Sequence, residues 1–399
     1  AQWWQLDGSI ALDGYKWLDQ EFAEKGIRNF IVIQREDGRI PLFGTDSLPL
    51  GSARQREGTS SLPELLRAAF KIAQRSTDKT FLRDVYKLMT SYLNWWQKNR
   101  LDIETGLLTS VFEETFVPYK GAAGEYAAVD TNVEVALGYE RAALLAEQLE
   151  RPQEEIAALR QKGRELFAAV QRWLWQETEG YFMPYFVQKR ESAHVMTAQG
   201  FFAFADTAMP TERKVRMLNL LKKPDAFGWG KIPLTSVAQT DDTFTITHGV
   251  YQGNLSWSGM VWSLINYNVA DALERAGEWE TSAELAYATV RLFCGQYSEF
   301  ADPFDGSPHG VQNYAWTAAH CILLLIEHLF GVHYDAWKNC VTISPNIPVC
   351  LTGQRLSLCG LALPCGGSLD IYIQRTDANC EVTYIQHETP VPLRVICKK

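Results

Sequence analysis

Residues 131–175 read TNVEVALGYERAALLAEQLERPQEEIAALRQKGRELFAAVQRWLW, and their reading decides the fold. Apolar residues recur at helical spacing on both sides of a very short break, Leu149 to Arg151. Two helices, over 131–150 and 153–175, must therefore lie antiparallel as neighbours. Thr131 with Glu134 fits the Ser/Thr-x-x-Glu capping box, which satisfies backbone N–H groups left over in a first helical turn. The unit is a helical hairpin.

The same pattern extends outward over 11–28, 62–76, 79–99, 194–208, 211–222, 257–276, 279–294 and 313–331, about ten helical segments in all. Ser61 with Pro63 and Glu64 marks a second capped start. Tight links alternate with long connections rich in Gly, Trp and acids, such as Leu101 to Asp130, and long loops on a rigid frame are where function is expected. From Cys340 onward the pattern changes to VTISP, LSLCGLAL, SLDIYIQR, CEVTYIQ and PLRVIC, short alternating stretches separated by Gly, Pro and Asn. These predict antiparallel strands. The expected fold is mainly α over 1–338, followed by a small C-terminal antiparallel β domain over 339–399. No internal repeat supports a solenoid.

Composition excludes several classes. The 399 residues are 46% hydrophobic and 21% charged, which rules out disorder and collagen-like repeats. With 47 acidic against 38 basic residues and no Lys/Arg stripe, the attraction that nucleic-acid binding relies on is missing, so nucleic acid is not an expected partner. No uncharged apolar run approaches the roughly 18 residues that span a bilayer, so a soluble chain with no membrane partner is expected. The opening AQWWQLDGSI lacks the basic and apolar regions of a secretory signal and starts at Ala1, which reads as a processed or trimmed chain. Cys340, Cys350, Cys359, Cys365, Cys380 and Cys397 crowd the C-terminal end, with only Cys294 and Cys321 before them. That clustering hints at disulfides and a secreted or lumenal location, with buried free thiols as the alternative.

Demanding motifs are absent: no HExxH, no GxxxxGK[ST], no GxGxxG after a strand and no GxSxG elbow, so no metal, no cofactor and no serine nucleophile is expected. What stands out is acid packed with aromatics. The stretch 102–126 holds Asp102, Glu104, Glu113, Glu114 and Glu125 among Phe112, Phe116, Tyr119 and Tyr126. Carboxyls beside aromatic rings have raised pKa values when buried. A turn-rich loop, GQYSEFADPFDGSPHGVQNYAW over 295–316, projects Glu299, and NLSWSGMVWSLINY over 254–267 sets Trp257 and Trp262 among small residues. Further surface of the same kind comes from Trp3, Trp4 and Asp7, from QREDGRIP over 34–41, and from Trp95, Trp96 and Arg100. Sugar rings lie on indoles while Asp, Arg, Asn and Gln hold their hydroxyls, so a carbohydrate is the expected ligand of thirteen tryptophans and these acids.

Five segments in order, WWQLDGSIALDGYKW, QREDGRIP, WWQKNRLDIETGLL, NLSWSGMVWSLINYN and YSEFADPFDGSPHGVQNYAWTAA, resemble the (α/α)6-barrel glycoside hydrolases: processing α-glucosidases, trehalases, mannosylglycerate hydrolases and, more distantly, glucoamylases. The resemblance covers most of 1–345. It implies a six-hairpin toroid and a small β-sandwich after it. WSGMVW resembles the family's Trp-Arg-Gly-Pro-Val-Trp, with Ser258 in place of Arg and Met260 in place of Pro, and SEFADPFDG resembles its Glu-x-Tyr-x-Pro-x-x-Gly. On that resemblance Glu299 is the general base. Ser110-Val111-Phe112-Glu113 resembles the Ser-Gly-x-Asp of the general acid and puts Glu113 in that role, one residue before Glu114. Trp4, Asp7, Arg39, Glu114, Tyr126, Trp257, Trp262 and Trp316 are the expected substrate contacts, Asp7 and Arg39 holding sugar hydroxyls and Trp257, Trp262 and Trp316 forming a wall under the ring. Relatives commonly carry a β-rich domain ahead of the barrel, whereas the first barrel helix is expected at about the start of this sequence.

The expected activity is exo-acting hydrolysis of an α-linked glucosyl, mannosyl or rhamnosyl unit by single displacement, the two carboxyls flanking the bond and roughly 6.5 to 9.5 Å apart. Two other readings stand beside it. One is epimerisation or polysaccharide β-elimination on the same barrel, with His248, Tyr251 and His309 as proton carriers. The other is a catalytically silent sugar-binding protein.

Overall fold

The computed structural model describes residues 2–45, 58–111, 113–117, 125–230, 232–246, 255–377, 379–388 and 392–395. Its helices are α1 (Gln5–Tyr15), α2 (Gln20–Ile33), α3 (Glu64–Gln74), α4 (Lys79–Arg100), α5 (Val129–Gln148), α6 (Gln153–Trp173), α7 (Thr211–Leu221), the single turn α8 (Pro224–Phe227), α9 (Ser263–Arg275), α10 (Trp279–Phe293) and α11 (Ala315–Leu323). A 3₁₀ segment, Ala198–Ala205, stands between α6 and α7.

Burial sorts these segments into two layers. Ala198–Ala205 is buried at every residue and α5 at every position from Val129 to Tyr139, so these stretches turn no face to water. By contrast α6 buries Ile156, Gly163, Leu166, Phe167, Ala169 and Val170 along one stripe and exposes the rest, as an outer helix must. The buried segments form a closed ring: α1 packs on α3, α3 on α5, α5 on Ala198–Ala205, that segment on α9, α9 on α11, and α11 back on α1. Around them α2 backs α1, α4 backs α3, α6 backs α5 and α10 backs α9. Among the described residues this is an (α/α)6 toroid. Its closing seam depends on Gly14, where a Cβ would sit 2.5 Å from the Ala319 Cα.

Charged side chains also cross the interior. Arg67 on α3 meets Glu64, Asn268 on α9 and the face of Tyr267, while Lys16, just after α1, bonds Asp13 (2.6 Å) and Glu327 (2.7 Å) beyond α11. Removing one member of such a buried set strands its partner's charge, which fixes how the inner helices are registered.

Several boundaries differ from the sequence reading. The segment 11–28 is two helices, because Asp19 caps α2 by accepting the Phe22 N–H (2.9 Å), and the apolar pattern runs on across the turn. Neither capping box forms: α5 begins two residues before Thr131, and Pro63, not Ser61, precedes α3. Residues 194–208 hold the 3₁₀ segment instead of an α-helix. The stretch 257–276 is broken at Gly259–Trp262, where a Gly259 Cβ would lie 2.4 Å from the Thr245 carbonyl oxygen. α11 widens into a π-helical turn over Leu324–Leu329.

At the C-terminal end Val332–Asp335 pairs antiparallel with Cys340–Ile343, and Arg355–Ala362, Ser368–Arg375 and Cys380–His387 form an antiparallel sheet. One pairing is parallel, against expectation: Cys340–Ile343 with Leu393–Val395. Leu361, Leu369, Ile371 and Ile373 belong to the same apolar core as the toroid. Among the described residues no disulfide joins two of the seven cysteines, and Cys397 lies outside them. Among the described residues no helix is long and apolar enough to cross a membrane.

Candidate active site

Inner and outer segments alternate along the chain, so the inner ones run in one direction and the loops entering them share one rim. Those entries are Trp4–Asp7, 58–63, 113–117, 255–262 and 298–314. They contain most of the residues singled out by the sequence.

Glu299 stands at the start of a two-strand hairpin, Phe300–Ala301 with Pro308–His309, whose Ala301 exchanges two backbone hydrogen bonds with Val261 (2.9 and 3.0 Å). The WSGMVW segment and the Glu299 loop are thereby one unit. The Val311 N–H donates to Glu299 Oε2 (3.0 Å), and the Glu299 N–H donates to the Val311 carbonyl (2.8 Å). Gly310 makes this turn possible: its φ is +71°, and a Cβ would lie 2.6 Å from Glu299 Oε2. Burial raises the Glu299 pKa, the Val311 bond opposes this, and the negative charge of Asp7 raises it further. Asp7, on the first turn of α1, is itself raised by burial and accepts a short hydrogen bond from the Tyr314 hydroxyl. A half-buried carboxyl held by one N–H beside a second acid holds a proton more readily than a free glutamate does.

The Glu113 loop is fixed from both sides. Glu113 has φ +70°, a left-handed backbone that costs a non-glycine residue about 1 kcal/mol or more, and its carbonyl accepts the Leu62 N–H (2.9 Å) and the Ser61 hydroxyl (3.3 Å). Its neighbour Glu114 is fully buried. Arg100 grips it at both oxygens (2.6 and 2.7 Å), and the Ser60 N–H (2.9 Å) and Val111 N–H (3.2 Å) complete its partners. Glu114 is thus an anchor and not a substrate contact, which corrects the sequence reading. Below the loop, buried Asp130 accepts from the Thr115 hydroxyl (2.7 Å), the Phe116 N–H (2.9 Å) and the Thr131 N–H (2.8 Å); burial pushes its pKa up to about 6. Gln199, from the neighbouring inner segment, donates to the Phe116 carbonyl (2.9 Å).

A ladder of rings connects the two loops. Phe116 stacks on Trp257 (4.4 Å), Trp257 on Trp262 (3.6 Å), and Trp262 tilts onto Phe300 (4.6 Å), next to Glu299. Trp316 meets Trp262 (5.9 Å) and the edge of Tyr314 (4.8 Å). Only Trp257 of the expected wall is part-exposed; Trp262 and Trp316 are buried behind it. Tyr126 is also buried, against Phe186, so its ring has no face for a sugar, a second correction. Trp4 is exposed and leans on Phe43. Arg39 is half-buried and donates to the Thr59 carbonyl (2.8 Å), beside the acid loop and not with Asp7. Trp95 and Trp96 are core residues, and Arg100 is committed to Glu114. His309 bonds Ser307 (3.1 Å), while His248, Tyr251, Phe112 and Tyr119 lie outside the described residues. Among the described residues no cluster of His, Cys, Asp and Glu converges as a metal site.

Sequence reasoning missed Asp130, Ser60 and Tyr314, because each acts through a partner distant in the chain; Ser61 was read as a helix cap when its hydroxyl is spent on Glu113.

Residues 1–317 match the family model of the mannosylglycerate hydrolase MGH1-like glycoside hydrolase domain. The chain belongs to this family. Members similar to it include a mannosylglycerate hydrolase of Rubrobacter radiotolerans, 27% identical over 188 residues, covering 46% of this chain and 40% of that protein. A glucosylglycerate hydrolase of Mycolicibacterium hassiacum is 28% identical over 129 residues, covering 31% and 27%. The match therefore spans less than half the length of either relative. The GH63 mannosylglycerate hydrolase of Thermus thermophilus, solved with glucose, superposes with a TM-score of 0.68 at 18% identity over 82% of this chain and 93% of its own.

Proposed function

We propose that this glycoside hydrolase family member cleaves an α-linked glucosyl or mannosyl unit from a small aglycone, glycerate foremost, by single displacement with inversion. Glu299 is the general base that deprotonates water, and Glu113 is the general acid that protonates the leaving oxygen. The observation that carries this reading is the setting of Glu299: half-buried, fixed by Val311, raised in pKa by burial and by Asp7, and joined by a ladder of four rings to the loop of a second carboxyl. Inversion needs the two carboxyls on opposite faces of the sugar with room for water between them. Trp257 and Trp4 supply ring faces, and Asp7 accepts from sugar hydroxyls. The names of the two curated relatives support glycerate as the aglycone. Residues 1–338 are the catalytic unit on this reading, with 339–399 an appended β module.

The test is direct. α-Glucosylglycerate, α-mannosylglycerate, trehalose and an α-rhamnoside are incubated with the protein, and the first-formed anomer is followed by NMR. Release of the β-anomer from a gluco- or manno-substrate is expected. Release of the α-anomer, or no hydrolysis of any of the four, ends the proposal.

A further inference from the structure

The loop that carries Glu113 is gripped from below by the first turn of α5. Thr131 donates its hydroxyl to the Glu114 carbonyl (2.6 Å) and receives that of Ser110 (2.9 Å). Asp130, beside it, is fully buried and divides its acceptors between two chain segments: Oδ1 takes the Thr131 N–H (2.8 Å) and the Thr115 hydroxyl (2.7 Å), while Oδ2 takes the Phe116 N–H (2.9 Å). Every partner is neutral. Among the described residues no Lys, Arg or His forms an ion pair with Asp130.

A carboxylate buried without a counter-ion is costly to the fold, and stability alone does not call for one here. An Asn of the same shape would be cheaper to bury, but its amide NH2 would stand against either the Phe116 N–H or the Thr131 N–H, which are donors at different oxygens. Only a carboxylate ties the loop to the helix at both. The tied stretch adjoins Glu113, whose left-handed backbone (φ +70°) is held by its surroundings and not by its own preference. Placement matters for a group that must meet a reacting oxygen, since an error of about 1 Å can cost roughly 10²-fold in rate. Resting on the hydrolase reading above, we propose that Asp130 is a positioning residue of the reaction: it does not touch substrate, and its two-oxygen clamp on Phe116 and Thr131 sets where the Glu113 carboxyl stands against the leaving oxygen.

The experiment compares α-glucosylglycerate or its manno counterpart, whose leaving oxygen must be protonated, with the matching α-glycosyl fluoride, whose leaving group departs without a proton. Asp130→Asn is expected to lower kcat on the glycerate substrate roughly 10- to 100-fold with KM changed less than about threefold. On the fluoride the same variant should stay within about threefold of the wild type. Because the clamp acts through Glu113, adding Asp130→Asn to Glu113→Gln should cost less than about twofold more. Thr115→Val removes one donor and keeps the carboxylate; it should show the same pattern at smaller size, and it decides the matter if the Asn variant does not fold. Equal losses on the two substrates, losses that multiply in the double variant, or an unchanged kcat overturn the assignment while hydrolysis itself still stands. A wild type inactive on every α-glycoside ends the hydrolase reading and this inference with it.

Discussion

Phe116 lies nearly flat on Trp257, ring centroids 4.4 Å apart and planes 24° from parallel. Phe116 follows Glu113 by three residues, and Trp257 begins the ladder that ends at Phe300, so this one contact couples the loops of both candidate catalytic carboxyls. The Phe116 backbone is tied down at both its polar groups, by Asp130 and by Gln199, which leaves the stack little freedom to slide.

Glu299→Gln keeps the size of the side chain but removes the carboxylate that would take a proton from water. Turnover is expected to fall by roughly 10³-fold or more with the thermal unfolding midpoint little changed. Progress curves on the true substrate, with a thermal melt of the same preparation, check both halves.

Glu113→Gln separates the acid from the base. Loss of about 10²- to 10⁴-fold is expected on a glycoside whose leaving group needs a proton, and a far smaller loss on one bearing a good leaving group. Equal losses on both substrates would remove Glu113 from the role.

The pH profile follows from Asp7. A base must be deprotonated, so the acid limb of kcat/KM rises through the pKa of Glu299, which burial and Asp7 hold above the ordinary value of 4.5. Asp7→Asn removes the neighbouring negative charge and should move that limb to lower pH, whatever it does to the height of the profile. A limb that stays in place or moves upward contradicts the coupling.

Gly310→Ala forces a methyl group into the 2.6 Å gap beside Glu299 Oε2 at a φ of +71°. Destabilisation of about 1–2 kcal/mol and a marked drop in kcat are expected. Gly353, whose φ is +82° with open space around it, is the control: Gly353→Ala should cost comparable stability and leave kcat alone.

Arg100→Met leaves the fully buried Glu114 without its cation. Unfolding free energy should fall by about 3–5 kcal/mol in denaturant titrations. Because Glu114 adjoins Glu113, activity should fall well below what the lost stability accounts for.

Helices α3, α4, α6, α7 and α10 were legible because the apolar stripe of a helix is a local repeat, written within a dozen residues. The Glu299 loop was legible because a hairpin that projects a carboxyl needs Gly and Pro at fixed spacing around it. The break at Gly259–Trp262 and the 3₁₀ form of Ala198–Ala205 were not, since the break comes from the close approach of Gly259 to Thr245 and the stretch GFFAFA carries no period to read.

Short windows of sequence by themselves determined the helical hairpins and the strands after them, while the toroid and the two candidate carboxyls came from the order of five longer segments that resemble the (α/α)6-barrel hydrolases. Tertiary structure alone decided that Glu114 is spent on Arg100, that Asp130 clamps the acid loop, that the charge of Asp7 acts on Glu299 and that Trp262 and Trp316 are hidden behind Trp257. Such pairings join residues far apart in the chain, as Tyr314 and Asp7 are at 307 positions. A side chain's periodicity states which way it points, but its partner is fixed only when the ring closes and brings distant loops to one rim.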